Sequence, residues 1–259
     1  VSAKAVTQKI KPKAGDTVFS QADLYIERLK ADGKYNRWNT EKSNVKHLKE
    51  FLKSDIGFSD LTVSLLERFK AYLIATHKVS ERTAVNKLVT VRCIFSQAIK
   101  EGVCDSKYYP FGKGNIKMKF PDSKKVGLTV DEVKAIENVE LNVEANHARN
   151  LWLISYYFAG MRVSDVLRLN WSDFQDGRLY YTMGKNRKGD SLKVSEKVMA
   201  ILKQYEHIKS EDTDLIFPDI RYADLTSKFD TEMKIKSRIN VIDRILRTEV
   251  APSAKIIKP

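Results

Sequence analysis

The chain has 259 residues, 42% apolar and 31% charged, which excludes an intrinsically disordered protein and suits a soluble globular one long enough for two domains. Its net charge of +13 is unevenly spread: residues 1–128 carry 25 Lys+Arg against 13 Asp+Glu, a net of +12, whereas residues 129–259 carry 21 against 20, a net of +1. There is no apolar run of membrane-spanning length, no secretory signal and no amphipathic anchor, so the basic half favours nucleic acid over a membrane surface, although a lysine-rich solvated face would count the same way.

In chain order, residues 1–17 are lysine-rich and poor in large apolar side chains, and read as a tail or linker. Ser20 is placed to cap a first helix that runs to about Asp32, with Phe19 stapling onto Leu24 and Gly33 ending it. Thr40 opens a second helix with Val45, Leu48, Phe51 and Leu52 on one face, and Thr62 a third carrying Leu66, Phe69 and Leu73. Ser80 opens the longest, in which Ala84, Leu88, Val91, Phe95 and Ala98 keep helical spacing until Gly102 stops it. Four amphipathic helices predict a compact bundle over residues 18–118. Pro110, Gly112, Gly114 and Pro121 then break regular structure, residues 119–128 read as a linker, and the capping box Thr129-Val130-Asp131-Glu132 starts a second domain spanning residues 129–259.

In that second domain Leu151-Trp152-Leu153-Ile154 and Tyr156-Tyr157-Phe158 are apolar nearly all round, which predicts a helix buried at the domain centre. Gly160 suits a left-handed helix terminus, and Ser164 is placed to cap the next helix, with Asp165 against the positive end of its dipole. Arg162 thus falls at a corner between two helices. Its planar, permanently charged fork suits recognition of phosphate or carboxylate there; equally, it could tie down helix carbonyls or pair with Asp165. Downstream, Arg178–Met183 and Ser191–Val194 read as strands of a hairpin whose turn is Gly184-Lys185-Asn186-Arg187-Lys188-Gly189-Asp190. A helix over 196–205, the apolar stretch Leu215-Ile216-Phe217-Pro218, and a helix with Ile235, Ile239, Ile242 and Leu246 on one face complete the domain. Cys93 and Cys104 read as reduced and structural, and His47, His77, His147 and His207 are scattered in sequence and suggest no metal site.

Gly160-x-Arg162-x-Ser164-Asp165 followed by Leu167-x-Leu169-x-Trp171-x-Asp173 resembles the first arginine box of the tyrosine recombinases, the phage-integrase family of DNA strand transferases. The hairpin after the box fits the family, and the four-helix unit resembles its core-binding domain, so the resemblance runs over residues 18–247. It implies a mainly α fold with a small β-hairpin or sheet: a four-helix N-terminal bundle plus a partial α+β catalytic domain. It implies site-specific recombination through a 3′-phosphotyrosine, with Arg162 stabilising charge on the non-bridging phosphate oxygens and Lys185, or failing it Lys188, protonating the leaving 5′-oxygen. No metal or other cofactor is implied. The partner is duplex DNA carrying a recombination site, with a tetramer on DNA for the full-length protein; the expected location is cytoplasmic, for a bacterial or phage-encoded protein acting on the chromosome. Lys42, Lys46, Arg82, Thr83 and Lys87 are the expected DNA contacts, placed on exposed faces of the second and fourth helices. The family's His-x-x-Arg box and nucleophilic tyrosine find no match: no His follows His207, and Tyr205 and Tyr222 precede the expected box and read as core or surface aromatics. The expectation is therefore a fragment, truncated at its C-terminus, mainly monomeric, that binds DNA weakly and cuts none. A DNA-binding protein that reuses the fold without chemistry is the alternative; a protein-interaction bundle is a third reading.

Overall fold

The structure is a computed structural model that describes residues 15–112, 115–116, 118–122, 126–184 and 189–256. It divides into two units, Val1–Lys124 and Lys125–Pro259. Among the described residues no helix is long and apolar enough to cross a membrane.

The first unit is built on four helices, α1 (Val18–Ala31), α2 (Tyr35–Leu52), α3 (Val63–His77) and α4 (Glu81–Lys100). Two of the expected starts are exact: Thr62 accepts from Leu65 N at 3.3 Å and Ser80 from Thr83 N at 3.3 Å. The other two are corrected. Thr17 rather than Ser20 caps α1, and Ser20 donates its amide to the Thr17 hydroxyl. The second helix begins five residues before Thr40, whose hydroxyl donates back to Asn36 O at 3.0 Å inside the helix instead of capping it. Gly33 (φ 62°) follows α1 and Gly102 (φ 72°) follows α4, in the left-handed conformation that lets the chain turn away.

The apolar stripes meet in one core in which Leu48, Leu66, Phe69, Leu73, Leu88 and Phe95 are each at most 1% exposed. Each such side chain contributes roughly 1.5–3 kcal/mol by leaving water. A polar seam joins α2 to α4 inside this apolar packing. Asn44 Nδ2 donates to Thr90 Oγ1 at 2.8 Å, Thr90 Oγ1 donates to Glu41 Oε2 at 2.5 Å, and Lys87 Nζ donates to Asn44 Oδ1 at 3.0 Å. Lys87, expected on an exposed face, is buried, because its ammonium finds these acceptors on the neighbouring helix and is not stranded without a partner.

The second unit opens with α5 (Val130–Asn138), where the capping box is complete: Glu132 N donates to Thr129 Oγ1 at 3.3 Å and Thr129 N to Glu132 Oε2 at 2.6 Å. Next comes α6 (Val143–Tyr157), capped by Asn142. Its Leu151 and Ile154 are fully buried, but the helix is not apolar-packed all round as expected. Tyr156 is exposed and stacks parallel on the half-buried Trp152, ring centroids 5.5 Å apart. After the short α7 (Val163–Val166) come β1 (Phe174–Gln175), β2 (Arg178–Thr182) and β3 (Gly189–Lys193), an antiparallel sheet in that order with Leu179 opposite Leu192. The strand β1 is additional to the expected hairpin. It returns through Asp176 (φ 49°) and Gly177 (φ 71°), the pair of positive φ values that a two-residue hairpin turn requires.

Then follow α8 (Glu196–Lys203), α9 (Lys228–Ile245) and, past a π-helical turn at Leu246–Val250, α10 (Ala251–Ser253). Ile235, Ile242 and Ile245 of α9 enter the second core alongside Leu167, Leu179 and Phe217. The stretch around Leu215 folds back on the residues after α7: Trp171 N donates to Asp214 O and Ile216 N to Leu169 O, each at 3.0 Å. The fold is thus mainly helical with one small three-stranded antiparallel sheet.

Candidate active site

The corner holding Arg162 is assembled from backbone bonds. Past α6 the chain reverses through Ala159 (φ 54°) and Gly160 (φ 81°). Ser155 O accepts from Gly160 N at 2.8 Å and from Met161 N at 3.1 Å, and the Ser155 hydroxyl donates to Met161 O at 2.5 Å. Beneath the turn Phe158, Met161, Val166 and Leu167 are buried, so the corner is pinned from below. The cap position of α7 belongs to Arg162, not Ser164: the Arg162 carbonyl accepts from Asp165 N at 2.7 Å and Val166 N at 3.0 Å, and no side chain caps the helix. The expected Ser164 cap is corrected because the helix starts two residues earlier than a Ser164 cap requires.

The Arg162 side chain is 44% exposed, and its Nη1 stands 3.8 Å from Asp165 Oδ2 of a carboxylate that is itself buried. At that separation the ion pair orients the guanidinium without saturating its donors. Among the described residues Arg162 makes no hydrogen bond to a helix carbonyl. That task falls to Arg168, whose Nη1 donates to Ser164 O at 2.8 Å and Nη2 to Glu232 Oε1 at 2.7 Å, tying α7 to α9.

The hairpin reaches the same place. A β-carbon built on Gly184 would lie 2.8 Å from Asp165 Oδ1, so the start of the turn sits directly on the carboxylate that faces Arg162. Lys185 and Lys188 lie outside the described residues. Neither the Gly184 contact nor the Arg168–Glu232 pair carries a sequence signal, since each joins residues far apart in the chain.

A second polar constellation in this unit was not foreseen. Asp219, whose carboxylate is fully buried, lies with Oδ2 2.9 Å from His147 Nε2, and its Oδ1 accepts from Arg238 Nε at 3.0 Å. His147 Nδ1 is 2.8 Å from the Tyr205 hydroxyl, which also accepts from Asn150 Nδ2 at 3.3 Å. Burial pushes the Asp219 carboxyl up, but His147 and Arg238 outweigh it and hold the group below the ordinary carboxylate value. Burial, the largest influence on Tyr205, pushes its hydroxyl up to about 12, so it keeps its proton at neutral pH. Tyr222 is exposed, with the Lys234 ammonium 5.1 Å from its ring centroid.

Of the DNA-contact candidates in the first unit, Lys42 is exposed with its ammonium 5.1 Å from the Trp38 ring, and Lys46 is exposed 3.7 Å from Glu50. Arg82 is exposed over Phe120 and donates to Pro121 O at 3.2 Å; Thr83 is exposed in the first turn of α4. Lys87, as above, is not on that surface. A groove of about 430 Å³ lined by Tyr25, Arg37, Arg92 and Lys100 adds cations that the sequence reading did not single out. The histidines are not all scattered: His47 and His77 pack ring to ring, 4.4 Å between centroids.

Among curated protein sequences none is significantly similar to the chain. Solved structures do share its fold. A lambda integrase (residues 75–356) dimer bound to a COC′ core site is 19% identical with a TM-score of 0.66, over 93% of this chain and 83% of that one. The Tn1549 transposon integrase in complex with a circular intermediate DNA is 11% identical with a TM-score of 0.60, over 92% and 95%. XerH recombinase bound to its difH substrate is 18% identical with a TM-score of 0.56, over 90% and 70%. At these identities the likeness establishes the fold. Sequence models decide the family: that of the phage integrase SAM-like domain matches residues 17–118 and that of the phage integrase family residues 127–240. The chain belongs to the phage integrase family, the tyrosine recombinases.

Proposed function

We propose that this chain carries the DNA-gripping helical domain and the first part of the strand-transfer site of a site-specific recombinase. The observation that supports this best is Arg162: a half-exposed guanidinium on a corner pinned by the Ser155 bonds, loosely paired with a buried acid. Such a cation is oriented in advance for the non-bridging oxygens of a phosphodiester, on which charge grows in the transition state. Lys185, with Lys188 as the alternative, is assigned to protonate the leaving 5′-oxygen. The helical unit, residues 18–118, holds the duplex through Lys42, Lys46, Arg82 and Thr83. The second unit, from residue 129, is the catalytic domain.

The nucleophilic tyrosine and second arginine of this chemistry are assigned to residues beyond these 259, because Tyr205 is locked in a buried network and, among the described residues, Tyr222 has no basic partner other than Lys234. The chain alone accordingly binds DNA and does not cut it. Lambda integrase has been seen as a tetramer bound to a Holliday junction, and four protomers around two duplexes is the assembly we assign to the complete protein.

The test is to incubate the chain with duplex and with nicked DNA over a range of salt. Binding should fall steeply as salt rises, with a log–log slope set by the phosphates contacted. No protein should remain attached to DNA after denaturation. A covalent adduct would refute the assignment of the nucleophile, and salt-insensitive binding would refute the phosphate contacts.

A further inference from the structure

We propose that His47, Glu50 and His77 form a binding site for one first-row divalent cation of the zinc type, in the helical unit and separate from strand-transfer chemistry. His47 and Glu50 stand three residues apart on one face of α2, and His77 is the last residue of α3. One donor atom from each lies within 4.8 Å of the other two, and the His77 Nε2 to Glu50 Oε2 distance is 3.8 Å. Donors about 2.0–2.2 Å from a tetrahedral ion are about 3.3 Å from one another, so the spacing of at most 4.8 Å must tighten by no more than about 1.5 Å to close on an ion. Two imidazoles and one carboxylate are a donor set suited to zinc, with a remaining position for water.

The surroundings fix which atoms take part. His47 Nδ1 is 2.9 Å from Lys87 Nζ, which leaves Nε2 as the ligand atom. His77 Nε2 is 3.1 Å from the Tyr72 hydroxyl, which the cation replaces on that nitrogen. The charged and titratable groups facing the cluster are Lys46 and Glu50 on α2, Tyr72 and His77 on α3, and Lys87 on α4. Burial, then Lys87 and His77, hold the His47 ring below the ordinary imidazole value. Burial likewise lowers Lys87.

An ion held by His47, Glu50 and His77 clamps the end of α3 to the face of α2.

The experiment is a titration of the whole chain with Co²⁺, read by its visible absorption, and with Zn²⁺, read by calorimetry and thermal unfolding. One ion per chain is expected, with raised thermal stability. His47→Gln, Glu50→Gln and His77→Gln should each weaken binding by more than about tenfold, the smallest loss usual even for outer-shell partners of a metal. Unchanged metal-free melting curves would show that these variants fold. Cys93→Ser/Cys104→Ser should bind as the parent does. Absence of cobalt bands and heat, binding that survives in His47→Gln/His77→Gln, or binding that disappears with the cysteines would each overturn the assignment.

Discussion

Gly184 and Asp165 approach so closely that the glycine has no room for a β-carbon, which would sit 2.8 Å from the carboxylate oxygen Oδ1. The hairpin is therefore seated on the acid that faces Arg162, and its position depends on the smallest side chain. Asp165 is buried and has little freedom to yield.

Gly184→Ala should destabilise the chain by about 1–3 kcal/mol through this overlap. Urea unfolding measures it, and hydrogen exchange of β2 and β3 should locate the loss in the sheet. An unchanged midpoint would mean that the carboxylate simply swings aside.

Arg162→Ala and Arg168→Ala should separate cleanly although the two lie six residues apart. Arg162 is half-exposed and loosely paired, so its loss should alter stability by less than about 0.5 kcal/mol. If it grips a phosphate, the slope of log affinity against log salt should fall by about one. Arg168 joins α7 to α9, and its loss should cost about 1–3 kcal/mol. Equal effects on stability would contradict the division of labour.

Asp219→Asn should cost roughly 2–3 kcal/mol at neutral pH, because His147 and Arg238 lose the charge that pairs them. The carboxyl is depressed in the folded state. Its contribution is fully present above the unfolded value of about 3.9 and disappears as pH falls through the lower folded value. The parent should thus lose stability on acidification below about pH 4, and the variant should lack that component. Denaturant midpoints at pH 7 and near pH 3 test both.

Tyr205→Phe removes the hydroxyl that His147 Nδ1 and Asn150 share, and should destabilise by about 1 kcal/mol. DNA affinity should be unaltered, as the ring is buried. A loss of DNA binding without a loss of stability would point to a role for this tyrosine at the DNA.

What the sequence made legible was local. Thr62, Ser80 and the Thr129–Glu132 box announce their helices because a cap acts within three residues, and Gly160 marks the Arg162 corner for the same reason. Where two hydroxyls compete within a turn, the pattern does not choose between them: Thr17 takes the cap that Ser20 could have held. The strand β1 did carry a signal, Asp176-Gly177, a dipeptide that favours the positive φ values of a tight hairpin. The rest is tertiary. Lys87 is buried because Asn44 and His47 sit opposite on another helix, and His47 meets His77 only after α2 and α3 have packed.

The buried seam between α2 and α4 also acts as a ruler. A one-turn slip of α2 along α4, about 5.4 Å, would leave the Lys87 ammonium without Asn44 or His47 in an apolar interior. That penalty fixes the register of the two helices, and with it the spacing between Lys42 and Lys46 on one and Arg82 on the other. If those cations meet a duplex as proposed, they meet a backbone that repeats at a set interval, and a surface whose cations cannot slide relative to each other is pre-set to a single repeat.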